Sequence, residues 1–113
     1  MIEPQAAIWE GGSGKQYKYW VYPLPHHFPS QLGNYIFAKT EGTQCLAVYI
    51  GEGDLEDRVS NHHRADCIRS KGATHIHARK NEDDRARKAE ESDLLDGNPE
   101  AYEPTGCNVK PGG

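Results

Sequence analysis

The stretch GNYIFAKTEGTQCLAVYIG, residues 33–51, decides the fold. It contains two strand-forming runs, Tyr35–Lys39 and Cys45–Ile50, with the turn residues Glu41-Gly42-Thr43 between them. Apolar and β-branched runs on either side of such a turn predict a hairpin. Tyr35 then lies on its first strand and Tyr49 at the end of its second. Gly51 and Gly53 flank Glu52 in a tight exit from that strand. Asp54 is a good helix N-cap, and Glu56 and Asp57 occupy a first turn where the helix dipole favours anions. The spacing of Leu55, Val59, His62 and Ala65 or Asp66 predicts a helix from Leu55 to about Arg69, with a narrow buried stripe. Arg58 and His62, four apart, would share a face of it.

Upstream, Tyr17–Tyr22 is aromatic and β-branched, which predicts a further strand. Pro23, Pro25 and Pro29 make a loop after it. Residues 1–14 are expected to form a loose leader, its Gly11-Gly12-Ser13-Gly14 end having flexible-linker chemistry, leaving one domain over 15–113. Downstream, Lys71-Gly72 ends the helix, and Ala73–Arg79 reads as another strand with His75 and His77 on one face. Asn81, followed by Asp84, resembles a capping box for a second helix, which runs to about Asp96. Gly97-Asn98-Pro99 stops it, and the tail through Pro104 and Gly106 is expected to be irregular.

A chain of 113 residues suits one domain. No apolar run approaches the roughly 20 residues that span a bilayer. The first residues lack the charged and apolar regions of a secretory signal, so the expected compartment is the cytoplasm. Cys45, Cys67 and Cys107 are widely spaced with no CxxC pair, which predicts reduced, partly buried thiols rather than a zinc site or a disulfide framework. The adjacent pairs His26-His27 and His62-His63 would point apart on a helix, and His75 with His77 lacks further ligands, so a histidine metal site is not expected.

The net charge of −4 argues against strong unspecific nucleic-acid binding, but the charge is uneven. Residues 58–80 carry Arg58, Arg64, Arg69, Lys71, Arg79 and Lys80 against the single acid Asp66. Such a run is either a solvated helix face or a surface for phosphates.

The ordered set of polar residues resembles the GIY-YIG nuclease superfamily. Gly33-Asn34-Tyr35 resembles its first triplet, and Tyr49-Ile50-Gly51 is its second triplet intact. Leu55, Arg58 and His62 resemble its leucine, arginine and histidine pattern. Glu91, followed by Leu94 and Leu95, resembles its glutamate, and Pro104 to Asn108 its closing proline and asparagine. The match spans residues 33–108. Each triplet alone is weak; the ordered set is specific. The resemblance implies a small α/β domain, with a central three-stranded mixed or antiparallel sheet flanked by helices. Tyr17–Tyr22 would be an extra N-terminal strand, extending the sheet or covering an edge. It also implies DNA cleavage with magnesium or manganese, leaving a 5′-phosphate and a 3′-hydroxyl.

Phosphodiester hydrolysis needs an activated water, positive charge on the phosphate and a proton for the leaving group. By the resemblance, Glu91 holds the cation, most of whose remaining ligands would be waters. Helix geometry does not choose between Glu90 and Glu91; the family spacing selects Glu91. Arg58 would clamp the phosphate with forked donors. Tyr35 is favoured as the base and Tyr49 as a positioning donor, although a phenol needs its pKa of about 10 lowered for such work. His62 would contact phosphate or shuttle a proton, and Asn108 would orient a partner or hold the tail. The six basic residues from Arg58 to Lys80 are the expected DNA contacts.

The expectation is therefore a stand-alone DNA endonuclease without appended targeting module. Target choice would come from DNA structure or a protein partner, and double-strand cutting from a homodimer or two encounters. The rival readings are a non-catalytic nucleic-acid-binding module and a protein-interaction domain whose acidic C-terminal region meets a basic partner.

Overall fold

The computed structural model describes residues 5–110. Its elements run β1 (Gln5–Glu10), β2 (Gln16–Pro23), β3 (Leu32–Glu41), β4 (Gln44–Asp54), α1 (Leu55–Ser60), α2 (Ala65–Ser70), β5 (His75–Lys80) and α3 (Asp84–Gly97). A 3₁₀ turn at Pro99–Ala101 follows. Among the described residues the five strands form one sheet in the order β1-β2-β5-β3-β4, every neighbouring pair antiparallel. The protein is a small α/β domain.

Strand alternation divides the core between the two faces of the sheet. Trp9, Tyr17, Tyr19, Ile36 and Ile50 pack with Leu94 of α3 on one face. Tyr35, Phe37, Val48, Ile76 and Ala78 pack with Leu55 of α1 and Ile68 of α2 on the other. A register shift between Phe37 and Ala38 opposes Phe37 to Tyr49 and Ala38 to Ala47, leaving Val48 as the extra residue of a bulge in β4. Among the described residues, no helix is long and apolar enough to cross a membrane.

Several expectations need correction. The sheet has five strands rather than three plus one. The strand expected over Tyr17–Tyr22 is an inner strand, β2, paired to both β1 and β5. Residues 1–4 of the expected leader lie outside the described residues, as do residues 111–113 of the expected domain. The rest of that leader is ordered structure: β1 pairs with β2, and the glycine-rich turn docks on α3. Gly12 N–H donates to the Asp93 carbonyl at 2.8 Å, and the Ser13 N–H and hydroxyl both donate to the Asp93 carboxylate. A Cβ at Gly11 would fall 2.0 Å from Asp93 Oδ2, so glycine serves close packing there rather than flexibility.

The helix expected from Leu55 to Arg69 is two helices. Asn61 caps α1, and His62 leaves the helical path to bury its ring; the Arg64 backbone N–H then donates to His62 Nδ1 at 3.0 Å. A side chain has replaced a helical carbonyl, which ends the periodic ladder. Asp83, not Asn81, caps α3, accepting from Ala86 N–H at 2.8 Å. Asn81 instead donates to the buried Asn34 at 3.1 Å.

The thiol expectation also fails. Cys67 and Cys107 form a disulfide across a sequence separation of 40, with Cα atoms 6.0 Å apart, and Cys45 is free and exposed. Local spacing could not reveal a bond between α2 and the tail. Closing a loop of this length is worth about 2–4 kcal/mol. The Cys67→Ser/Cys107→Ser variant is expected to show a correspondingly lower urea midpoint, whereas an unchanged midpoint would mean that the bond contributes nothing.

Candidate active site

The site is built at the β4 edge of the sheet, on the α1–α2 face. Tyr35 of β3 lies directly opposite Gly51 of β4. A Cβ on Gly51 would stand 2.4 Å from both Cζ and the hydroxyl of Tyr35, so the phenol crosses β4 only because residue 51 has no side chain. Gly51→Ala is therefore expected to cost about 1–3 kcal/mol in urea unfolding, the usual penalty of overpacking. Adding Tyr35→Phe should return part of that loss, because it removes one of the three Tyr35 atoms that would lie within 3.0 Å of the new Cβ. A double variant no more stable than Gly51→Ala would place the strain elsewhere.

Arg58 reaches the same strand from α1. Asp54 starts that helix, accepting from Asp57 N–H at 3.4 Å and from Gln31 N–H at 2.8 Å. One turn later the Arg58 stem lies over Gly53, whose missing Cβ would sit 2.7 Å from Arg58 Nε. Gly53 has φ +137, a second reason for glycine at that position. Arg58 is exposed.

His62 is buried beneath the two phenols, its ring edge-on to Tyr35 and Tyr49. Because Nδ1 accepts from Arg64 N–H, the proton of the neutral ring is on Nε2. Nε2–H then donates to the Tyr35 hydroxyl at 2.9 Å, leaving the phenolic hydrogen to point elsewhere. Burial lowers the His62 pKa to about 4, with His63, Arg58 and Arg64 adding in the same direction. His62 is thus a neutral donor to Tyr35 at physiological pH.

Glu91 comes from α3 on the other side of the β4 edge. It lines a cavity of about 310 Å³ with Tyr49, His63, Arg64, Cys107 and Asn108. Burial first, and then Glu52, raise its pKa to about 7, against the pull of Arg58 and Lys88. Glu90, which helix geometry could not separate from it, faces the other way. Glu90 is buried, accepts from the Tyr19 hydroxyl and pairs with Arg79 at 3.6 Å. Both phenols respond to both charges. Burial raises Tyr35 and Tyr49; Glu91 raises each further, and Arg58 lowers each. The structure thus brings Tyr35, Tyr49, Arg58, His62 and Glu91 into one electrostatic neighbourhood. Arg58 acts on both phenols in the direction that base work needs, but in the protein alone desolvation outweighs it in each.

Asn108 adjoins this group, with its side chain hydrogen-bonded to the β4 backbone. Its side chain accepts from Ile50 N–H at 2.9 Å and donates to the Ile50 carbonyl at 3.0 Å. It holds the tail on the middle residue of the Tyr49-Ile50-Gly51 triplet, a positioning role.

The six basic residues do not form one strip. Arg64 donates to the Cys107 carbonyl at 3.1 Å and pairs with Glu103. Lys71 donates to the Pro104 carbonyl at 2.7 Å, and Arg69 pairs with Asp66 at 3.3 Å. Arg79 lies on the α3 face with Glu90. Arg58 and Lys80 remain exposed on the site's own face.

Sequence reasoning missed four participants. His63, treated as pointing away from His62, stacks on it with ring centroids 4.7 Å apart because neither residue is helical. Glu52 and Arg87 form an ion pair at 3.0 Å that braces β4 against α3. Asn34, the middle residue of the first triplet, is fully buried and donates to the Arg87 carbonyl at 3.0 Å. The three-residue spacing of Asp84 and Arg87, which pair at 2.7 Å, was the one local signal.

Among the described residues no group of three or more His, Cys, Asp or Glu side chains is placed to hold a metal ion. Glu91 alone offers the cavity a carboxylate, acted on by its neighbours through charge rather than hydrogen bonds. One carboxylate fits a cation that keeps most of its water, as magnesium does, and does not fit zinc. Comparisons of the chain with family models, curated proteins and solved structures return no match.

Proposed function

We propose that this protein is a metal-dependent DNA endonuclease that hydrolyses phosphodiester bonds at the β4 edge. What supports this function is a cavity lined by the Tyr49 phenol and the half-buried Glu91 carboxylate, with Tyr35 stacked on Tyr49 beneath it and Arg58 exposed over Gly53 on the same strand. Arg58, exposed and permanently charged, binds the scissile phosphate. Glu91 holds magnesium or manganese, which when bound supplies positive charge to the phosphate oxygens.

Tyr49, which lines the cavity, orients the attacking water. This is the positioning role expected of it, whereas Tyr35, only 2% exposed, does not take the role of base that the resemblance favoured. Tyr35, oriented by His62, fixes the wall against which Tyr49 packs. His63, exposed beside Tyr49 at the cavity, gives the leaving oxygen its proton in this reading. One such site cuts one strand; a second copy or a second encounter completes a double-strand break. Action in the cytoplasm belongs to the same proposal.

Supercoiled plasmid incubated with the protein and magnesium should be nicked, leaving a 5′-phosphate, and Glu91→Ala should not nick it. Equal nicking by Glu91→Ala, or none by the wild type, defeats the proposal. Salt-dependent binding without any cleavage would replace it with the non-catalytic binding module.

A further inference from the structure

Outside the site, the α1–α2 face of the sheet continues uncovered over β2 and β1. Trp20 is 41% exposed there and Ile8 58%. The registers fix where Trp20 stands. It pairs with Ala78 of β5, Ala78 pairs with Tyr35 of β3, and Tyr35 pairs with Gly51 of β4. Directly paired residues share a face, so Trp20 and Tyr35 lie on one line across the strands, two strand spacings or about 10 Å apart. The residue between them, Ala78, is small. An open groove of about 180 Å³ occupies that space, lined by Trp20, Tyr22, Phe28, Leu55, Ala78 and Lys80 among others.

A second line runs beside the first. Lys18 is two residues from Trp20 and Lys80 two from Ala78, so both share this face. Lys80 pairs with Gly33, Gly33 pairs with Gly53, and Arg58 lies over Gly53. Lys18 Nζ sits 4.7 Å from the Trp20 ring centroid. An aromatic line thus runs alongside a cationic line, and both lead to the proposed cleavage site.

We infer that this face is a binding platform for single-stranded DNA, with an unpaired base stacked on Trp20 and its phosphates on Lys18 and Lys80. Stacking needs the flat face of a base, which a duplex keeps covered, and aromatic platforms flanked by cations hold single strands largely without regard to sequence. The acidic balance of the whole chain makes the local pairing of cations with aromatics more selective, because little else on the protein attracts DNA without specificity. Where the platform leads rests on the nuclease reading. An unpaired segment on Trp20 would place a phosphate three strand spacings, or about 14 Å, further along at Arg58, so substrates with a single-stranded arm beside a duplex would be preferred.

The binding part is tested without cleavage, in EDTA. Trp9 is buried and donates to His77, so Trp20 is the one exposed tryptophan and its fluorescence reports stacking directly. Titration with oligo-dT should quench that emission. Labelled oligo-dT followed by anisotropy should bind the wild type more tightly than a duplex of equal length. Trp20→Ala should weaken single-strand binding by roughly tenfold, with Trp20→Phe retaining most of it. Lys18→Ala/Lys80→Ala should flatten the dependence of log affinity on log salt by about 1.4.

No quench, equal affinity for single strand and duplex, or an unchanged affinity in Trp20→Ala with native circular dichroism would overturn the inference. Quenching by oligo-dT from a protein that never nicks plasmid would uphold the platform and remove only the nuclease. Nicking without quenching would do the reverse.

Discussion

Glu91→Gln is expected to lower the nicking rate by at least about 100-fold and, at pH 8, to make the protein more stable by about 2 kcal/mol. The two effects have one cause. The Glu91 carboxylate is held half-dry beside Glu52, and its pKa rises from 4.5 to about 7. A raised acid binds its proton more tightly in the folded chain than in the unfolded one. Folding is therefore penalised once the pH passes 4.5, and the penalty levels off above the folded value near 7. The full shift corresponds to about 3 kcal/mol, and partial exposure of the group trims it to about 2.

Glutamine keeps the shape and removes the charge. The stability difference between variant and wild type should vanish near pH 4.5 and grow through neutrality. Magnesium should raise the melting temperature of the wild type and not that of the variant, because only a ligand that binds the folded state shifts that equilibrium. Equal urea midpoints at pH 8 would show that the carboxylate is well solvated, and the account of the site would lose its main support.

Acidification should act in the opposite sense, through two histidines. His62 and His77 are both buried, and burial brings each to a pKa of about 4 from 6.5. Each uses Nδ1 as an acceptor, His62 from Arg64 N–H and His77 from the Trp9 indole N–H, both at 3.0 Å. A second ring proton would turn that acceptor into a donor facing a donor. The unfolded chain binds protons below pH 6.5 that the folded chain refuses, so stability is complete above 6.5 and is lost as the pH falls toward 4.

Together the two rings should cost about 5 kcal/mol between pH 7.5 and 4.5, while relief of the Glu91 penalty returns about 2. Glu90, also raised by burial, adds to the relief. Urea unfolding across this range should show the wild type losing roughly half of what Glu91→Gln loses. A flat profile in the variant would mean that neither histidine is neutral for the reasons given.

Much of the hairpin was legible in residues 33–51 because its signals are local. The turn residues and the strand-forming runs act within a few residues of themselves; the strand end does not, for β4 runs on to Asp54, so Tyr49 is not at its end and Gly51-Glu52-Gly53 are paired with β3 rather than forming an exit. Its exact registers were not legible: the bulge beside Val48, which brings Tyr49 opposite Phe37, follows from packing against both helical layers. The helix break at His62 was hidden for a related reason. Its spacing fits α1 well, but off the helix its ring gains the hydrogen bonds to Tyr35 and Arg64 N–H and the packing against Tyr49.

By itself, the sequence determined which groups were available: the glycines at 51 and 53 that admit Tyr35 and Arg58, the cap at Asp54, and a glutamate ahead of Leu94 and Leu95. Only the tertiary structure decided which of them meet. It turned Glu91 toward the cavity and Glu90 away, tied Arg64 and Lys71 to the tail, and joined Cys67 to Cys107. It also made a strand of Gln5–Glu10, ahead of the glycine-rich turn, where a loose leader was expected. Those outcomes depend on burial and long-range pairing, where the free energy of a contact belongs to two distant segments at once and leaves no periodic trace in either.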